Sequence, residues 1–131
     1  MTKYKVETVI DTNQLACTAS QLISTLIKQG LTHRDRFQIA LSGGSTPSET
    51  YKLLGQQQLE WNRVDIFLGD ERWVDMQDHA SNAGMVNRTL FLNCPASQAK
   101  FYPVQTVQLS NPQESAKAYS NTLENVCLGD P

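Results

Sequence analysis

With 131 residues, 40% of them hydrophobic, the chain has the length of one ordinary domain and enough apolar side chains for a core. A net charge of -2 and a pI near 5.6 argue against a nucleic-acid footprint or an anionic membrane surface as partner. No apolar run approaches a membrane span, no secretory apolar region follows Met1, and Cys17, Cys94 and Cys127 form no Cys-x-x-Cys pair; reduced thiols in the cytoplasm are expected.

Residues 4–10 alternate weakly through Val6, Val9 and Ile10, which predicts a strand near a sheet edge. Asp11 is positioned to cap the next helix, with Gln14 third. Leu15, Ala16, Ala19, Leu22, Ile23, Leu26 and Ile27 then recur at three- and four-residue spacing, and Gly30 reads as the terminator. A polar connection holding His33, to which no role is assigned, leads to Phe37-Gln38-Ile39-Ala40-Leu41, a short buried strand. After the turn Ser42-Gly43-Gly44-Ser45-Thr46-Pro47, a capping box is expected, with Thr46 as cap, Pro47 first and Glu49 third. That helix runs to about residue 57 with Leu53 and Leu54 inward and Tyr51 at one edge. Val64-Asp65-Ile66-Phe67-Leu68 is a second buried strand, ending at Gly69-Asp70-Glu71-Arg72-Trp73-Val74.

Beyond a polar loop, Ser81 or Asn82 caps a helix to about residue 92, which Asn93-Cys94-Pro95 stops. Residues 101–104 read as a short strand-like piece that Pro103 keeps from the sheet centre. Asn111 as cap, Pro112 first and Glu114 third begin a last helix, with Ala116, Tyr119, Leu123, Val126 and Cys127 inward and Gly129 as terminator. Residues 1–131 thus form a single α/β domain without repeat or linker. Strands separated by helices of this length imply right-handed crossovers and an open, Rossmann-like parallel sheet with helices on both faces.

The glycine turn combines a strand end, free helix amides and hydroxyls, which suits a phosphate or another small oxyanion. Ser42, Gly43, Gly44, Ser45 and Thr46 are the expected phosphate-binding residues. It is neither a Walker loop nor a dinucleotide fingerprint, and no Gly-x-Ser-x-Gly elbow or metal-ligand spacing occurs. Arg72 offers a planar fork of donors, and Asp70 or Glu71 can orient a hydroxyl or act as a base. Taken alone, the turn is equally an ordinary βα turn, and the charged run a solvated cluster with His79 as a loop contact. Both follow strands at the same end of the sheet, where ligands of such folds bind.

The string Leu41-Ser42-Gly43-Gly44-Ser45-Thr46-Pro47 resembles the phosphate loop of the 6-phosphogluconolactonase and glucosamine-6-phosphate isomerase/deaminase superfamily. Gly69-Asp70-Glu71-Arg72-Trp73-Val74, with Asp78-His79-Ala80-Ser81-Asn82, is similar to the lactonase branch, the deaminases usually having tyrosine in place of the arginine. The resemblance implies hydrolysis of 6-phosphogluconolactone to 6-phosphogluconate in the pentose phosphate pathway, without metal or organic cofactor. It implies that Gly43, Gly44, Ser45 and Thr46 hold the sugar phosphate and that Asp70 and Arg72 line the site, Asp70 positioning substrate or a water. Asp75 and Ala83 depart from the pattern, where proline and tyrosine are usual. Family members are roughly twice as long, and their later half carries a Gly-x-Asp-Gly-His stretch with the implied general base. Neither His33 nor His79 matches it. The resemblance therefore covers the N-terminal half, and the C-terminal half is expected as a second segment or chain. The alternatives are a glucosamine-6-phosphate isomerase/deaminase and a sugar-phosphate-binding module without catalysis.

Overall fold

All five residues of Val64–Leu68 are buried, as a strand covered on both faces requires. In a computed structural model describing residues 3–127, the chain forms α1 (Thr12–Leu31), β1 (Phe37–Leu41), α2 (Ser45–Gly55), β2 (Val64–Leu68), α3 (Asn82–Thr89), β3 (Lys100–Phe101) and α4 (Pro112–Cys127). The strands are parallel in the order β1-β2-β3, with Phe37 opposite Val64 and Leu41 opposite Leu68. The expected open parallel sheet is present.

Strand alternation sends Val64, Ile66 and Leu68 to one face. They join Ile27 and Leu31 of α1, Tyr51 and Leu54 of α2, Val86 and Leu90 of α3, and the buried ring of Trp61. Asp65 and Phe67 point the other way, toward α4. Phe67 stacks on Tyr102 at 4.9 Å between centroids and meets the edge of Tyr119 at 6.4 Å. The Tyr119 hydroxyl accepts from the Leu68 amide at 2.8 Å and donates to the Tyr102 carbonyl at 2.9 Å. Ser115 adds a bond to the Gln105 carbonyl. A few polar anchors and one aromatic contact therefore dock α4.

Several expectations need correction. Residues 4–10 form no strand: Tyr4, Val6 and Ile10 are 85%, 76% and 90% exposed, because a strand exists only within a ladder and this segment pairs with none among the described residues. In α1 the cap is as expected, Asp11 Oδ1 accepting from the Gln14 amide at 2.8 Å. The helix runs past Gly30, where a Cβ would stand 2.5 Å from the Phe37 ring, so that residue serves close packing rather than termination. Its buried line is Ala16, Ser20, Ser24, Ile27 and Leu31, while Leu15, Leu22 and Leu26 stay exposed. The small serines face inward and turn the larger side chains toward solvent.

The helix after the turn begins two residues early, at Ser45. Gly44 is its N-cap, no side chain caps it, and Glu49 pairs with Lys52 rather than reaching back to Thr46. Tyr51 is buried and Leu53 is not. β1 lies at a sheet edge with only Leu41 buried, and α3 stops at Thr89. The last helix keeps its Asn111 cap, but Ala116 and Leu123 are exposed and Ser115 is its buried residue; Gly129 lies outside the described residues.

Asp65, buried in the central strand, receives Arg36 through two bonds of 2.9 and 2.6 Å and Gln38 at 3.0 Å. Burial pushes its carboxyl up, but the bonds from Arg36 and Gln38 and the charges of Arg36 and Lys100 outweigh that and hold it below the usual carboxylate range. A depressed folded-state value gives stability that is present above the ordinary aspartate range and is lost as pH falls through the folded value. Thermal melts from pH 7 to pH 3 will show this loss in the parent chain and a flatter profile in Asp65→Asn. At pH 7 the variant will be less stable by about 2 kcal/mol, less than the roughly 3–5 kcal/mol of a fully buried broken pair, because Arg36 is 42% exposed.

Candidate functional site

β1 and β2 end level with each other, and the Gly69 amide bonds the Leu41 carbonyl at 2.9 Å, so the two motif loops leave the sheet side by side. The first loop is fixed by Tyr51, whose hydroxyl accepts from the Ser42 amide at 3.1 Å and donates to the Ser42 carbonyl at 2.8 Å. Gly44 then adopts φ 112°, a backbone state that side-chain-bearing residues rarely reach. Gly43 lies so close to Asn82 that a Cβ would stand 2.0 Å from its Oδ1. Past these glycines the first turn of α2 presents the Ser45 and Thr46 amides, which have no helical acceptor; Pro47 has no amide to present.

The second loop is organised by Glu71. Its carboxylate accepts from the Asn82 amide (2.7 Å), the Ala83 amide (2.9 Å), the Ser81 hydroxyl (3.1 Å) and the Arg72 amide (2.8 Å). With Ser81 capping the Gly84 amide at 3.1 Å, this satisfies the N-terminus of α3. Glu71 is thus committed to structure. Asn82 Nδ2 donates to the Asp70 carbonyl at 3.0 Å and to its carboxylate at 3.2 Å. Arg72 Nη1 donates to the Ala80 carbonyl at 2.8 Å.

Two clefts result. A cleft of about 220 Å³ is lined by Gly44, Ser45 and Ser48 on one side and by Arg72, His79 and Arg88 on the other. Among the described residues, no carboxylate lines it. The second, of about 330 Å³, lies between the β2 loop and α4 and includes Asp70, Arg72, Trp73 and Tyr119. Burial pushes the Tyr119 hydroxyl up, so it stays protonated and keeps both its bonds at neutral pH. Arg72 lines both clefts.

Of the expected phosphate-binding residues, Gly44, Ser45 and Arg72 meet in the smaller cleft. Ser42, Gly43 and Thr46 flank it without lining it, Ser42 being held by Tyr51 and Gly43 packed against Asn82. Asp70 lies in the neighbouring cleft. His79 is fully exposed at the rim, with Nδ1 3.6 Å from Asp78, and His33 lies in an open groove at the end of α1. Sequence reasoning missed Ser48, Tyr51 and Arg88. Arg88 was recoverable: Ser81, Met85 and Arg88 fall at the spacing of one helix face, and all three line the cleft. Among the described residues no group of three or more His, Cys, Asp or Glu is placed to hold a metal, and no helix is long and apolar enough to cross a membrane.

Residues 10–130 match the family described as Glucosamine-6-phosphate isomerases/6-phosphogluconolactonase. The chain belongs to this family. Family membership agrees with the resemblance carried by the two loop motifs. The chain is 35% identical over 125 residues to a 6-phosphogluconolactonase of Nostoc, an alignment covering 93% of this chain and 50% of that protein. It is 37% identical over 94 residues to one of Xylella fastidiosa, covering 72% of this chain and 38% of the relative. The crystal structure of a 6-phosphogluconolactonase from Shewanella baltica superposes with a TM-score of 0.84 at 30% identity, over 90% of this chain and 50% of that one. The chain spans half or less of the length of these relatives.

The role of Glu71 is open to direct measurement. Glu71→Ala will lower stability by about 2 kcal/mol in denaturant unfolding, since it strips charge-assisted bonds from a helix N-terminus. Asp70→Asn, at an exposed position, will stay within about 0.5 kcal/mol of the parent.

Proposed function

We propose that this chain is the phosphate-gripping half of a cytoplasmic enzyme that hydrolyses 6-phospho-D-glucono-1,5-lactone to 6-phosphogluconate. The observation that carries the reading is that Arg72 forms a wall of both clefts. A substrate whose phosphate lies at the first turn of α2 can then lay its sugar portion across Arg72 toward Asp70. The phosphate receives the Ser45 amide, the α2 dipole and the Ser45 and Ser48 hydroxyls. The Arg72 guanidinium, with Nη1 on Ala80, is pre-set beside it.

Lactone hydrolysis needs a fixed substrate, an activated water and donors for the oxyanion that forms at the carbonyl carbon. When water adds, one of its protons passes through the base to the ring oxygen as the ring C–O bond breaks, and the carboxylic acid so formed releases the other to solvent, leaving a carboxylate and a hydroxyl. The described residues supply the fixed phosphate, and Asp70 positions a substrate hydroxyl or the water. The general base is a histidine outside this chain, for neither His33 nor His79 lines the cleft of Asp70. A C-terminal half, as a second segment or chain, supplies it. In support, β1 has no strand neighbour on its outer edge among the described residues, and the relatives are about twice as long. Arg72 in the place of the deaminases' usual tyrosine favours the lactonase over the amino-sugar isomerase.

Residues 1–131 alone will bind 6-phosphogluconate in calorimetry and leave 6-phosphogluconolactone hydrolysing at its spontaneous rate. Turnover by the purified chain would sink the external base, and absence of binding would sink the phosphate site. Arg72→Gln will abolish the binding. On sizing, the chain alone will self-associate; a monodisperse monomer would remove the need for a second segment.

A further inference from the structure

We infer that Arg88 is a second phosphate-gripping guanidinium, closing on the same anion as Arg72 across the cleft from the first turn of α2; the inference rests on the phosphate reading above. Side chains on a helix lean toward its N-terminus, so a residue at position 88 covers the surface of position 84. Position 84 is glycine, and a Cβ built there would stand 2.9 Å from Arg88 Nη1. The bare glycine thus lets the guanidinium fold back one turn along α3. That fold brings it into the cleft lined by Gly44, Ser45, Ser48 and Arg72.

Two further observations give this placement meaning. Arg88 makes no hydrogen bond, ion pair or ring contact among the described residues, whereas Arg36 and Arg63 are both spent on carboxylates and carbonyls. Glu71, at the N-terminus of α3, is occupied by four donors. A phosphate monoester carries about -1.5 to -2 charges at neutral pH, more than one arginine neutralises. Arg72 spends one nitrogen on Ala80 and Arg88 spends none, so together they match a dianion. The ligand class is a dianionic phosphomonoester, and Arg88 selects it against the dephosphorylated sugar acid.

The test measures 6-phosphogluconate and gluconate binding to the full chain by calorimetry, in parent, Arg88→Gln, Arg88→Lys and Arg72→Gln. Arg88→Gln is expected to weaken 6-phosphogluconate about tenfold or more, the usual size of a lost charge-assisted bond. Arg88→Lys should recover part of that loss. Gluconate binding and the melting temperature should be unchanged in both variants, which separates anion contact from a structural effect. If Arg88→Gln binds 6-phosphogluconate within twofold of the parent while Arg72→Gln does not bind, the second guanidinium is refuted and the phosphate site stands. If the parent itself binds no 6-phosphogluconate, both fall together. An equal loss for gluconate would also overturn the inference.

Discussion

The Glu71 carboxylate is the interaction on which the functional end of this molecule depends. It gathers two amides and a hydroxyl from the start of α3 and folds back onto the amide of its own neighbour, Arg72. One side chain thereby joins the loop after β2 to a helix whose N-terminus lies ten residues further on. Asn82, brought in by that junction, presses against the bare face of Gly43. The cleft between α2 and α3 is what remains open once these contacts are made. Its walls are set by bonds made largely behind it, so the Ser45 and Ser48 hydroxyls, the Ser45 amide and the Arg88 guanidinium are left for a ligand.

The electrostatics follow from this division of labour. The chain is acidic overall, yet no carboxylate of the described residues lines its small cleft. Acids nearby are either committed to backbone amides, as Glu71 is, or turned into the adjoining cleft, as Asp70 is. Attraction for an anion is therefore short-ranged, built from dipoles and fixed donors rather than a broad positive field. That suits a small phosphorylated metabolite and offers little to a polyanion.

Much of this was legible in the sequence where a single physical requirement dominates. β1 and β2 were placed correctly because mostly apolar runs followed by glycine have few alternatives, though β1 is less buried than expected, and the Asp11 and Asn111 caps read correctly because the motif is local; of the two caps open for α3 the structure uses Ser81. Misreadings arose where a tertiary contact decided between local options. Thr46-Pro47-Ser48-Glu49 has the letters of a capping box, but Gly44 in a left-handed conformation starts the helix sooner. Leu53 outranks Tyr51 in hydrophobicity, yet only a hydroxyl can satisfy both the amide and the carbonyl of Ser42. Residues 4–10 alternate as a strand would, but pairing is a property of the neighbour as well as the segment. For the site, sequence located Arg72 and the α2 turn; Arg88 needed the helical projection of α3, and the separation of Asp70 into a second cleft needed coordinates.

The level ending of β1 and β2, with Leu41 opposite Leu68, ties the placement of the two loops to the lengths of both strands. Adding one residue to either strand would slide its loop by about 3.3 Å and turn every following side chain to the other side of the sheet. An insertion in a connection remote from this rim would leave the two loops side by side, whereas one inside either strand would part them.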